Sequence, residues 1–137
     1  MLPSTVRQEM IRDCLSRRPK EACGFLIANA AGMIERAQPM TNVENSAIGY
    51  SMDPREQLKL DKELRQRQQR IIGIYHSHTA SAAYPSSVDT QLAIAPDISY
   101  VVVSTMNVAQ PEVKSYFISG QHVIPQPIRD MTRSDVC

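Results

Sequence analysis

The spacing of hydrophobic positions changes period several times along this chain, and each change predicts an element. Val6, Met10, Ile11, Cys14 and Leu15 recur at helical spacing, which predicts an amphipathic helix. Thr5-Val6-Arg7-Gln8 has the form of a capping box that would open it. Pro19 would end it, because its ring removes a backbone donor and restricts the residue before it. The apolar runs from Gly24 to Ala28 and from Met33 to Ala37 read as two strands joined at Asn29-Ala30-Ala31-Gly32, a hairpin with its glycine at the end of the turn. Pro39 to Met52 is polar and irregular, with one short strand expected near Ile48 to Tyr50.

Asp53-Pro54-Arg55-Glu56 is a helix start: an N-cap carboxylate, proline at the first helical position and an acid at the third. The helix predicted from there to about Gln69 has few apolar residues, chiefly Leu58, Leu60 and Leu64, and should lie on the surface with a narrow buried stripe. Ile71 to His78 then predicts a strand, with Ile72, Ile74, His76 and His78 on one face. Small residues from Thr79 to Pro85 form a loop, and Ser86 caps a short helix to about Ala93 with Asp89 in its first turn. Tyr100 to Ser104 is a β-branched core strand, and Val113–Ile118 with Gln121–Ile124 predict a closing hairpin at Ser119-Gly120. The expected organisation is one mixed α/β domain over residues 1–128, a curved and largely antiparallel sheet flanked by helices, with a tail at 129–137.

Composition narrows the function. A net charge of +1 provides no basic field for nucleic acid, and two Phe with no Trp leave little to stack on single strands. No window approaches the ~18 consecutive apolar residues of a membrane span, and the charged first twenty residues hold no apolar signal core. A soluble, cytoplasmic protein is expected. Cys14, Cys23 and Cys137 form no CxxC pair, and three reduced thiols are the expected state.

The candidate chemistry lies in His76-Ser77-His78 and Ser86-Ser87-Val88-Asp89. A strand sets the two imidazoles side by side, roughly 6–7 Å apart along its rise, whereas a helix would splay them by about 200°. Two histidines and one carboxylate suit zinc and leave a fourth position for water. Asp89 in a first helical turn would be held ionised, as a ligand requires. Glu21 would take the water proton and return it to a departing amine, and Ser86 could donate to the oxyanion. Each residue also has a plainer reading: two satisfied core histidines, a capping box at Ser86 and Asp89, a loop acid at Glu21, a small buried thiol at Cys23. Only their joint order favours chemistry. The H-x-E and P-C-x-x-C pattern of zinc deaminases is absent, and so is the acid soon after the paired histidines that a metallo-β-lactamase-type site wants.

Glu21, His76-x-His78, seven residues, Ser86-x-x-Asp89, together with Glu21-Ala22-Cys23-Gly24-Phe25-Leu26, resemble the signature of JAMM (MPN+) metalloproteases. The likeness extends through Met40-Thr41-Asn42, Tyr50, Asp53, Glu56-Gln57-Leu58, Tyr84-Pro85 and Val103-Ser104-Thr105, and is similar to the short bacterial branch of the family. The resemblance implies the JAMM/MPN fold and one zinc ion on His76, His78 and Asp89. It further implies Glu21 as general base and acid, Ser86 as oxyanion donor, and no covalent intermediate. It also implies a partner: a ubiquitin-like sulfur carrier with a Gly-Gly tail, from which cysteine or a few extra residues would be released, linking the enzyme to cysteine biosynthesis. Activity on isopeptide-linked conjugates and a non-catalytic scaffold with a structural metal are the alternatives. Met40 to Met52, or the loop from Thr79 to Tyr84, should wall the substrate groove.

Overall fold

The computed structural model describes residues 2–44, 46–47, 49–93 and 95–131. Its elements run β1 (Leu2–Pro3), α1 (Ser4–Arg17), β2 (Cys23–Ala28), β3 (Ile34–Met40), α2 (Pro54–Gln66), β4 (Arg70–His78), α3 (Ser87–Leu92), β5 (Ser99–Ser104), β6 (Glu112–Ser119), β7 (His122–Gln126) and β8 (Asp130–Met131). Six strands form one mixed, mostly antiparallel sheet in the order β3-β2-β4-β5-β6-β7. Within it β4 and β5 run parallel, and the chain crosses between them through α3. Such a crossover leaves the carboxyl end of β4 open beside a helix start, the usual place for chemistry in sheets with parallel strands.

Helix α1 covers one face. Val6, Met10 and Cys14 are fully buried against Leu26, Tyr75, Val101 and Val103, and full burial of a Val or Met side chain contributes roughly 1.5–3 kcal/mol. Helix α2 covers the other face, where Leu60 and Leu64 pack on Cys23, Phe25, Ile27 and Met40. Asp53 caps α2 as expected, accepting from the Arg55 N–H at 2.9 Å, with Pro54 at the first turn. Leu58 does not join the buried stripe; it is exposed, because two residues before Leu60 it points about 200° away around the helix.

Several expectations change. The capping box at Thr5 does not form: α1 begins at Ser4 with Pro3 as N-cap and no side-chain cap. The approach of the chain is set instead by β1, which pairs in parallel with β8 in the stretch after Ile128. The face of β4 is also different. The register of β2 on β4 shifts between Leu26 and Ile27, whose partners are Gly73 and Ile71. Ile72 is left over and packs on the α1 side, while Ile71 and Ile74 pack on the α2 side. An extra residue reverses the alternation, so Ile74, His76 and His78 share a face without Ile72. The hairpin turns hold, with Gly32 and Gly120 at positive φ. The second strand of the first hairpin runs on to Met40. Of the strand expected near Ile48 to Tyr50, Ile48 lies outside the described residues, and Gly49 and Tyr50 are not in a strand. Cys14 and Cys23 are buried free thiols, and Cys137 lies outside the described residues.

Candidate metal centre

His76 and His78 close the C-terminal end of β4, and both are buried. Their Nε2 atoms lie 3.1 Å apart. Asp89 Oδ2 is 3.0 Å from each of them. Three donor atoms thus form a nearly equilateral triangle. A tetrahedral ion with ligands at 2.0–2.1 Å needs a ligand–ligand edge of about 3.3 Å, so the set needs only slight expansion to hold one. Glu21 stands on another side: its carboxylate and the two imidazoles offer donor atoms all within 4.8 Å of one another.

Each donor is fixed by its element. The His78 Nδ1–H donates to the Ala82 carbonyl at 3.0 Å, which fixes the ring and turns Nε2 toward Asp89. The ring of Tyr50 stacks on His76 at 4.8 Å and 25°. Ser86 and Asp89 form a reciprocal capping box: the Asp89 N–H donates to Ser86 Oγ at 3.1 Å, and the Ser86 N–H donates to Asp89 Oδ2 at 2.8 Å. Because Ser86 Oγ accepts in this box, its own O–H remains free to donate outward. Ser77, on the opposite face from the histidines, joins β4 to the start of β2. Its hydroxyl accepts from the Ala22 N–H at 2.8 Å, and its own N–H donates to the Ala22 carbonyl at 3.0 Å.

Glu21 precedes β2 and is only 4% exposed. Among the described residues its Oε1 has no hydrogen-bond partner, an orphan acceptor that suits a water or ion beside the triangle. Burial pushes its carboxyl up to about 7, although His78 opposes the shift. Burial acts against ionised Asp89 too, yet hydrogen bonds from His76 and His78 hold it well below the usual carboxylate range. On His78, burial is outweighed by the Asp89 contact and the pKa is raised. Two acids at one site thus have opposite tendencies, one poised to exchange a proton and one held as an anion. Burial also pushes the Cys23 thiol up to about 11, which fits an inert core thiol and not a nucleophile.

Sequence reading placed Asn42 and Tyr50 in the family likeness and in the expected groove wall but gave neither a role beside the histidines and Glu21. Asn42 Nδ2 donates to the carbonyls of Glu21 and Gly49, both at 3.0 Å, and its Oδ1 accepts from the N–H groups of Glu44 and Ser51 at 3.1 and 3.0 Å. It pins the segment after β3 onto Glu21. A cavity of about 420 Å3 opens there, between Lys20 and Glu21 on one side and Met40, Thr41 and Asn42 on the other. Ala82, Ala83 and Tyr84 line a different cavity, of about 670 Å3, with Tyr116 and residues of β7.

Residues 3–119 match the family described as prokaryotic homologs of the JAB domain. The CysO-cysteine peptidase of Mycobacterium tuberculosis is 40% identical over 120 residues, covering 87% of this chain and 82% of that protein. The desampylase of Pyrococcus furiosus is 28% identical over 106 residues, covering 77% of this chain and 72% of that protein. The solution structure of a Desulfitobacterium hafniense protein superimposes with a TM-score of 0.85 at 34% identity, covering 96% of this chain and 93% of that one. A family match over most of the chain, on a fold that carries two histidines and two acids in one place, makes this chain a member of the prokaryotic JAB (JAMM/MPN) family of hydrolases.

Proposed function

We propose that this chain is a zinc-dependent peptidase that cuts the C-terminal peptide bond of a ubiquitin-like sulfur-carrier protein, releasing cysteine or trimming the tail to Gly-Gly. The observation that carries the reading is the triangle of His76 Nε2, His78 Nε2 and Asp89 Oδ2, 3.0–3.1 Å on each edge, beside Glu21, whose Oε1 has no partner among the described residues. The donor set of two imidazoles and one carboxylate fits zinc with a position left open. Zinc held there would supply a Lewis acid and bring the pKa of water down to about 7.

The chain's own residues do the rest. His76, His78 and Asp89 form the ligand set, with Ala82 and Ser86 keeping His78 and Asp89 in place. Glu21 Oε1 accepts a proton from the attacking water and returns it to the departing amine, a role suited to a carboxyl near 7. The Ser86 O–H donates to the oxygen that gains charge, a contact worth about 3 kcal/mol in comparable sites. The carrier assignment follows from the likeness to a CysO-cysteine peptidase over 87% of the chain.

The test is incubation of the zinc-loaded protein with CysO bearing a C-terminal cysteine, followed by mass spectrometry of CysO. Loss of one cysteine, abolished by chelator and restored by zinc, supports the proposal. Unchanged mass refutes it. The likeness to a desampylase favours a second activity, isopeptidase cleavage of ubiquitin-like conjugates. Parallel incubation with an isopeptide-linked conjugate separates the two.

A further inference from the structure

The cavity beside Glu21 has Lys20 on its wall and none of His76, His78 and Asp89 in its lining. Three cations gather at the end of α1. Arg17 is taken up by Asp13, with Nε and Nη2 at 2.8 and 3.2 Å from its carboxylate, and by the Met40 carbonyl. Arg18 donates to the Thr79 carbonyl at 3.5 Å. The turn into Lys20 is fixed by its N–H on the Arg17 carbonyl at 3.0 Å. The Lys20 side chain is exposed and, among the described residues, has no acidic partner. Glu56, the acid bonded to Thr41 of the lining, is occupied by the Thr41 N–H at 2.8 Å and hydroxyl at 2.9 Å.

We infer that this cavity receives the amino acid released by the reaction and that Lys20 binds its α-carboxylate. This rests on the peptidase reading above. Hydrolysis breaks the acyl C–N bond, forms a C–O bond from water and sends a proton to the leaving nitrogen. If Glu21 delivers that proton, the nitrogen must come within hydrogen-bond reach of it. The carboxylate carbon of a C-terminal residue is two bonds further, about 2.5 Å from the nitrogen. Its charge therefore falls within the cavity that Lys20 and Glu21 line together, where an ammonium with three donors can meet it. A volume of about 420 Å3 accepts one residue and excludes a folded domain. The leaving group of an isopeptide bond is a lysine side chain without a nearby carboxylate, and it gains nothing from Lys20. Lys20 is thus a specificity residue, selecting a free C-terminus over a conjugate.

The experiment compares zinc-loaded enzyme on CysO ending in free-acid cysteine and on the same protein ending in cysteine amide. Wild type should favour the acid by about tenfold or more in kcat/KM. Lys20→Ala should bring the ratio close to one, mainly through KM, and Lys20→Arg should keep most of it. In a Glu21→Gln background, calorimetric titration of the uncut proteins should show the acid binding tighter, with the difference lost on adding Lys20→Ala. A ratio near one in wild type, or one unchanged by Lys20→Ala, overturns the inference while leaving the peptidase intact. If wild type cuts neither form, the peptidase reading has failed, and equal binding of acid and amide to Glu21→Gln then overturns the role of Lys20 as well.

Discussion

The hydroxyl of Ser77 and the backbone N–H of Ala22 are 2.8 Å apart and buried. This bond joins the residue between the two site histidines to the residue after the candidate base. The spacing of Glu21 from the imidazoles is therefore set by a contact on the far face of β4. Ser77→Ala leaves the Ala22 donor buried and unpaired, which costs roughly 1–3 kcal/mol. The variant should unfold at lower urea, and its kcat should fall about tenfold or more as the base loses its position. Full activity at an unchanged unfolding midpoint contradicts this coupling.

Glu21→Gln should separate catalysis from stability. Activity should drop by a factor of about 100 or more, since the proton shuttle is gone. In the metal-free protein the folded Glu21 carboxyl sits near 7 against an ordinary 4.5, because burial penalises the anion. With a raised folded pKa, its contribution to stability is complete below about 4.5 and is lost as pH rises through about 7. Metal-free Glu21→Gln should lose less stability than wild type between pH 5 and pH 8. Parallel pH dependence of urea unfolding in the two proteins is the outcome that sinks this.

Gly24 is held in a space that admits no side chain. A Cβ there would meet the Tyr75 ring and the Gln38 carbonyl. Tyr75 cannot move aside easily, being fully buried with its hydroxyl donating to Asp13 Oδ2 at 2.7 Å. Gly24→Ala should destabilise the fold by about 1–3 kcal/mol or more, read as a lower melting temperature. An unchanged melting temperature would show that the strand can shift to make room.

The paired histidines were readable because period two puts His76 and His78 on one face whatever surrounds them. Ser86 and Asp89 posed a choice between a helix cap and a ligand, and the structure forms the cap with a carboxylate that also faces the histidines. Asp89 Oδ2 accepts the Ser86 N–H while it faces the two imidazoles. Ile72 was misplaced because a bulge, set by the register of a distant strand, inverts the alternation before the histidines are reached. Asn42, Tyr50 and the Ala82 carbonyl act only once loops far apart in sequence have closed on the sheet. No local pattern announces such contacts. The pairing of Leu2–Pro3 with Asp130–Met131 is hidden for the same reason, since two residues carry no periodicity.

Metal content measured on purified variants tests the assignment of ligands and base most directly. Wild type and Glu21→Gln should each retain one zinc ion per chain, whereas His78→Ala and Asp89→Ala should retain almost none. Zinc kept by Asp89→Ala and lost from Glu21→Gln would exchange the roles of the two acids and contradict the account.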